Sequence, residues 1–354
     1  MLALVSDAFG GRGGIAQYNR DFFCAAVVGT AIDAVSIFPR CAPESFTLPE
    51  KVYQASPGTT RLGYILRALF MAFSKNADIV FCGHINLVPL AALVARLSRA
   101  KLIVQVHGIE AWKPPAKHHK RAVEAADLVL CVSRYTRARL LSWAAIEPER
   151  VAVLPNTVSE VYSPGSGVSL RASWGLVGKT VMLTVARMDV EERYKGHEHV
   201  IGALSSLPEN VVYVVLGDGN DMDRIKAVAL DAGVADRVLF RGHVTRDILV
   251  DAYRMADLYV MPSTGEGFGI AFLEAMASGT PALGLAVAGA CDALADGELG
   301  MVVSEKDFAT SLSDALARLP ISPGVISSAV RDRFGRATFL RCVRGAFERL
   351  LEVA

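Results

Sequence analysis

Residues 257–284 read DLYVMPSTGEGFGIAFLEAMASGTPALG. An apolar run at 257–261 breaks at Pro262 into a turn carrying Gly265, Gly267 and Gly269. A helical pattern follows over 268–278, then a second apolar run at 281–284. Strand, glycine turn, helix and strand make the βαβ unit of a parallel sheet. The opening amides of that helix, at Phe268, Gly269 and Ile270, would face the strand's carboxyl end, where unpaired N–H groups favour an anion. Glu266 precedes the helix and Glu274 lies eight residues on. Eight steps of about 100° return to within roughly 80° of the same face, so both carboxylates can look toward one ligand.

The same alternation extends in both directions. Upstream, strands are expected at 180–186, 211–216 and 237–240, with helices near 196–206, 221–232 and 246–255; downstream, a strand at 300–303 and a helix at 307–319. In the first half, strands are expected at 2–6, 34–38, 78–82, 101–106, 127–132 and 151–154. Helices fall near 15–28, 61–74, 86–98, 118–126 and 134–144. The strands are continuous apolar runs, as in sheets covered on both faces. The pattern pauses at 156–178, where Pro164, Gly165, Gly167 and Gly175 suggest a linker. The fold class is therefore α/β, with two successive parallel-sheet domains at 1–160 and 161–324 and a helical tail at 325–354. Ligands in such sheets lie beyond the carboxyl ends of the strands.

Composition narrows the function. The chain has 354 residues, 52% hydrophobic and 21% charged, enough for full cores and unlike a disordered chain. Lys plus Arg (37) nearly equals Asp plus Glu (36), which argues against a dedicated nucleic-acid binder. Residues 1–160 carry 18 basic and 12 acidic side chains, residues 161–354 carry 19 and 24; the halves are expected to meet different partners. Six scattered cysteines without a C-x-x-C pair point to neither zinc nor a disulfide framework, and fit a reducing, cytoplasmic setting. The start, MLALVSDAFGG, reads as a first strand rather than an export signal. The stretch Ile79–Ala95 is interrupted by His84, Asn86 and Pro89, so no membrane span is expected.

Three further clusters sit at strand ends. Gly10-Gly11-Arg12-Gly13-Gly14 follows the first strand and fits a phosphate or substrate turn, a plain tight turn, or a dinucleotide fingerprint. The last lacks the acid at the end of strand two that a dinucleotide ribose wants. His107-Gly108-Ile109-Glu110-Ala111-Trp112 follows another strand, and a neutral imidazole there can bond a sugar hydroxyl. His84 is similarly placed. Arg187 ends the strand TVMLTVA, and Lys195-Gly196 stands eight residues later before a helix. Two cations there suit a diphosphate, or Arg187 simply pairs with Asp189, Glu191 or Glu192. Asp221-Met222-Asp223 formally matches a metal clamp but lies away from the strongest motif. No metal is expected.

The Glu266-x7-Glu274 block resembles the signature of retaining glycosyltransferases of family 4, which have the GT-B fold. GGRGGIAQYNRDF, HGIEAW, CVSRYTRARL, VLPNTV, TVARMDVEERYKGHEHVI, VVYVVLGDGND and RVLFRGHVTRDILVDAYRMADLYVMPS agree in order and spacing. The resemblance implies two Rossmann-like domains facing a cleft, with a nucleotide-sugar donor (UDP-, GDP- or ADP-linked) on the second and a glycan acceptor on the first. It implies that Arg187 and Lys195 bind the diphosphate and that Glu266 and His107 contact the donor sugar. Amides at Phe268, Gly269 and Ile270 would meet the sugar or phosphates, and Glu274 the ribose. Gly242 and Val244 would meet the base, and Gly13 and Gly14 the phosphates or acceptor. It further implies retention of configuration without metal or resident cofactor, and a last helix returning to the first domain. The stretch Ala288-Gly289-Ala290-Cys291-Asp292 lacks a Gly and a Glu that the family often has. Residues 61–75, RLGYILRALFMAFSK, mix cations with large apolar groups, as a helix docking on an anionic membrane would, or a core helix with solvated charges. Competing readings are a sugar-nucleotide epimerase, a non-catalytic binding subunit and an oxidoreductase.

Overall fold

A computed structural model describes every residue except 12, 45, 58–59, 75–76, 320–321 and 353–354. It divides into two units, Met1–Thr157 with Ala337–Ala354, and Val158–Arg336.

The first unit holds β1 (Leu2–Val5), β2 (Val35–Pro39), β3 (Val52–Gln54), β4 (Ile79–Cys82), β5 (Lys101–Val106), β6 (Leu128–Cys131) and β7 (Val151–Val153). All pair in parallel in the order β3-β2-β1-β4-β5-β6-β7. Every residue of β1, β4 and β6 is buried, because helices cover both faces. One face takes Gly14–Gly29 and Arg336–Glu352, where Phe22 stacks on Phe81 at 4.6 Å and on Phe347 at 6.1 Å. The other takes Arg61–Ser74 and Val88–Ser98, whose Tyr64, Ala68, Val88 and Ala91 pack with Leu4, Val80 and Cys82. β3 was not expected: three residues with an exposed Tyr53 leave no apolar run to read.

The second unit holds β8 (Thr180–Val185), β9 (Val211–Leu216), β10 (Val238–Phe240), β11 (Leu258–Met261), β12 (Ala282–Leu285) and β13 (Met301–Val303). The order is β10-β9-β8-β11-β12-β13, again all parallel. Chain order reverses between β1 and β4 in one sheet and between β8 and β11 in the other. At such a switch point the flanking loops diverge and leave a crevice at the strands' carboxyl ends.

Two boundary expectations are corrected. The stretch 156–178 is no free linker: it forms the helix Val168–Ser173, and Arg171 bonds the Met255 carbonyl (2.8 Å) and Asp257 (2.6 Å). The described part of the tail expected at 325–354 is two helices, Pro323–Phe334 and Arg336–Glu352. Pro323–Phe334 belongs to the second unit, where the Phe334 carbonyl accepts from the Val158 amide at 3.1 Å. From Ala337 the chain belongs to the first unit, and Arg344 bonds the Gly29 carbonyl at 2.9 Å.

Candidate active site

The β8/β11 switch point of the second unit gathers the strongest cluster. β8 delivers the loop 186–196 and β11 the loop 262–269. Close backbone contact locks them together. The Thr264 amide bonds the Tyr194 carbonyl at 2.9 Å. Gly196 lies so near Pro262 that a Cβ there would stand 2.3 Å from the Pro262 carbonyl oxygen. Lys195 Nζ consequently meets the Glu266 carboxylate in an ion pair whose side chains are only 16% and 10% exposed. Burial alone would push the Lys195 ammonium down, but Glu266, Tyr194 and Glu192 outweigh it and the net shift is upward. Lys195 therefore stays charged, buried at a ligand edge.

The helix opening adjoins this pair. A Cβ on Gly269 would stand 3.6 Å from Glu266 Cγ. The helix runs Ile270–Ala277 rather than 268–278, because Gly269 caps it in the left-handed region at φ 96°. Of the three amides expected in its first turn, only Ile270's is there. Phe268 is instead buried, edge-on to Phe334 at 5.6 Å.

Arg187 enters differently from Lys195. Its side chain is 71% exposed and paired with Glu192, with Asp189 at 3.9 Å. Tyr194, which sequence reasoning passed over, sits among these charges. Its ring lies 5.2 Å from Lys195 Nζ. Burial raises the Tyr194 pKa, Glu192 and Glu266 add to that, and Lys195 and Arg187 oppose it. The only signal for Tyr194 was its place beside Lys195.

Glu274 is buried on the same helix, accepting a 2.8 Å hydrogen bond from the Tyr253 hydroxyl. Tyr162 also bonds Glu274, and burial together with that carboxylate raises both phenols' pKa values. Gly242 follows β10 at φ 63°, and its carbonyl accepts the Gly217 amide at 2.9 Å; Val244 lies two residues on, half-buried. Asp221, the first acid of the Asp221-Met222-Asp223 stretch, is paired with two arginines. Its oxygens take Arg193 (2.7 and 3.1 Å) and Arg224 (2.9 Å), which hold its pKa far down. Among the described residues no group of three metal-ligating side chains occurs.

In the first unit, His107 follows β5. Its Nε2–H donates to the Gly83 carbonyl at 3.0 Å and its ring stands edge-on to Tyr18 at 5.2 Å. Burial lowers its pKa against the opposing pull of Glu110, so the ring is neutral at pH 7. Gly13, at φ 86°, caps the helix Gly14–Gly29 and has open space around it. Beside this turn, Asp7 Oδ1 and Asn19 Oδ1 are buried acceptors without a partner.

His197 was also missed. It begins the helix after Gly196, and its Nδ1 lies 3.0 Å from the Tyr213 hydroxyl, which donates to Thr184 at 2.9 Å. That order of donors puts the proton on Nδ1. Burial, and then Lys195, push its pKa down to about 4. The unfolded chain takes up this proton near pH 6.5 and the folded one only near 4. Stability is thus whole above pH 6.5 and falls by about 3 kcal/mol as pH drops to 4. Denaturant titrations at pH 7 and 4.5 should show that loss reduced in His197→Asn, whose amide can still donate to Tyr213.

Two Rossmann-like units, each with its polar groups at the switch point, constitute the GT-B architecture of glycosyltransferases. The crystal structure of Anabaena Alr3699/HepE in complex with UDP superposes with a TM-score of 0.78, covering 98% of this chain and 100% of that one at 19% identity. The descriptions Glycosyltransferase Family 4 and Glycosyl transferases group 1 match residues 23–160 and 169–338. The chain belongs to this family of glycosyltransferases. The D-inositol 3-phosphate glycosyltransferase of Acidothermus cellulolyticus is 32% identical over 238 residues, 62% of this chain and 52% of that protein. The GDP-mannose-dependent alpha-(1-6)-phosphatidylinositol monomannoside mannosyltransferase of Mycolicibacterium smegmatis is 29% identical over 250 residues, 65% of each. The chain spans about half the length of the first of these relatives.

Proposed function

We propose that the chain moves a hexose from a nucleoside-diphosphate donor to a glycan acceptor with retention of configuration. The observation that carries this is the charged Lys195 buried against Glu266 at the β8/β11 edge, with a helix opening beside it. Such a group is positioned for a leaving diphosphate. The relatives' names and the UDP held by the Anabaena protein support the reading.

Lys195, the Ile270 amide and Arg187 meet the growing charge on the β-phosphate. Arg187 must leave Glu192 to do so. The Arg187 side chain is 71% exposed but Glu192 only 14%, so the exchange leaves a largely buried carboxylate and must be offset by the contact with the diphosphate. Glu266 orients the sugar hydroxyls, Glu274 accepts from the ribose, and the Gly242–Val244 turn meets the base. The C1–O bond to the diphosphate breaks, a β-phosphate oxygen takes the acceptor hydroxyl's proton, and the new C1–O bond forms on the same face. No metal is assigned, since Asp221 spends its oxygens on two arginines. On the first unit, the unpartnered oxygens of Asp7 and Asn19 can accept from glycan hydroxyls and the opening amides of the Gly13-Gly14 turn can donate to them, while His107, its Nε2–H spent on Gly83, keeps Nδ1 for a hydroxyl of the transferred sugar. The acceptor we favour is lipid-linked and the product a cell-surface or exported polysaccharide. The enzyme then works at the cytoplasmic face of the membrane. Among the described residues no helix is long and apolar enough to cross one.

Melting with a panel of UDP-, GDP- and ADP-sugars tests the donor site. The matching donor at 100 times its Kd should stabilise by about 2.7 kcal/mol. Glu274→Gln should weaken the matching nucleotide about tenfold, the loss of one charge-assisted bond. A panel without any shift, or an epimerised donor as the sole product, would overturn the reading.

A further inference from the structure

The first unit exposes a face that its own fold does not use. In the helix Arg61–Ser74, Tyr64, Ala68 and Ala72 recur every four residues and are buried in the core. Leu62, Leu66 and Phe70 recur at the same interval on another face and are 66%, 59% and 71% exposed. The helix Val88–Ser98 packs alongside and adds Leu93 and Leu97, 45% and 42% exposed. These five are most of the exposed leucine and phenylalanine side chains among the described residues. Scattered apolar side chains on a surface need no explanation, but a concentration on two adjoining helices does.

The charge on the two helices is one-sided. Arg61 and Arg67 lie on the first, Arg96 on the second and Arg99 just beyond it, with no Asp or Glu on either. The next helix, Lys117–Glu124, packs on Val88–Ser98 and adds Lys117, Lys120 and Arg121 against Glu124. Lys75 lies outside the described residues. A second copy of this chain is a poor occupant, because pairing this face with itself would set arginines against arginines. Asp127 lines a groove with Leu93 and Arg96 but is paired with Lys101, so leucine and phenylalanine beside an excess of cations match the boundary between acyl chains and anionic headgroups.

We propose that this two-helix face is a docking surface for the anionic lipid headgroup layer of a membrane, with Leu62, Leu66 and Phe70 entering the acyl boundary and Leu93 and Leu97 extending the contact. It gives the membrane location proposed above a defined surface. The test is sedimentation of the full chain with vesicles of phosphatidylcholine, or of phosphatidylcholine with about one third phosphatidylglycerol. Binding to the anionic vesicles should be at least about tenfold stronger and should weaken with salt. The variant Leu66→Ser/Phe70→Ser should lose about tenfold or more, and Arg61→Gln/Arg96→Gln should lose the preference for anionic lipid. All four positions are exposed, and an unchanged melting temperature confirms that the variants fold. No binding, equal binding to both vesicles, or full binding by the serine variant would overturn the proposal. So would light scattering showing that the face makes dimers, or capture of a protein partner that the serine variant loses while vesicle binding persists. No donor or acceptor is present, so a negative result leaves the nucleotide-sugar reading standing, and a silent nucleotide panel leaves this one standing.

Discussion

Lys195→Ala should lower kcat by about 10²–10³-fold, the cost of removing one preorganised donor from a developing oxyanion. The side chain has no substitute. The Ile270 amide cannot move, and Arg187 starts paired with Glu192, whose side chain is only 14% exposed. Alanine also strands Glu266 as a buried carboxylate, and breaking a buried pair from one side costs about 3–5 kcal/mol of stability. The two effects separate with Lys195→Met/Glu266→Gln. That variant should recover most of the melting temperature, since no charge is left unpaired, while remaining inactive. Single-turnover sugar transfer and chemical denaturation read the two quantities. Near-native kcat in Lys195→Ala would remove the residue from catalysis. Full transfer by Glu266→Gln would remove the role assigned to its partner.

The largest stability loss is expected from Gly217→Ala, about 4 kcal/mol or more. Gly217 sits at φ 129°, where a side chain is strained, and an added Cβ would lie 1.9 Å from the Ala186 carbonyl oxygen. The obstacle is backbone, so no rotamer relieves it. The same contact sets the loop that carries Arg187 against the turn after β9, and the Gly217 amide bonds Gly242 at 2.9 Å. Nucleotide binding should therefore weaken even where the variant folds. Gly202→Ala is the control. It lies in a helix with nothing within 4 Å of the added carbon, and should stabilise by about 0.5–1 kcal/mol. Equal denaturation midpoints for the two variants would show that the close approach at Gly217 does not exist.

The sheets were legible because burial on both faces writes each central strand as an apolar run, as in VVYVVL of β9. Edges and ends were less so. β3 is short and half-exposed, so its pairing with β2 rather than its sequence makes it a strand. The start of the Ile270–Ala277 helix was misplaced because apolar periodicity runs on through Phe268. The left-handed Gly269 stops the helix short, and Phe268 turns toward Phe334, 66 residues away in sequence.

Read alone, the sequence determined the central strands and most of the helices between them, where the glycine turns fall, and that the polar groups gather at strand ends. Those properties follow from periodicity and local backbone freedom. Tertiary structure alone decided which carboxylate each cation takes: Lys195 with Glu266, Arg187 with Glu192, and Asp221 between Arg193 and Arg224. It also decided where the tail changes units, at Arg336 and Ala337. The reason is physical. Ion pairing falls steeply with distance and strengthens with burial, and both are set by strand order and loop contacts linking residues far apart in the chain.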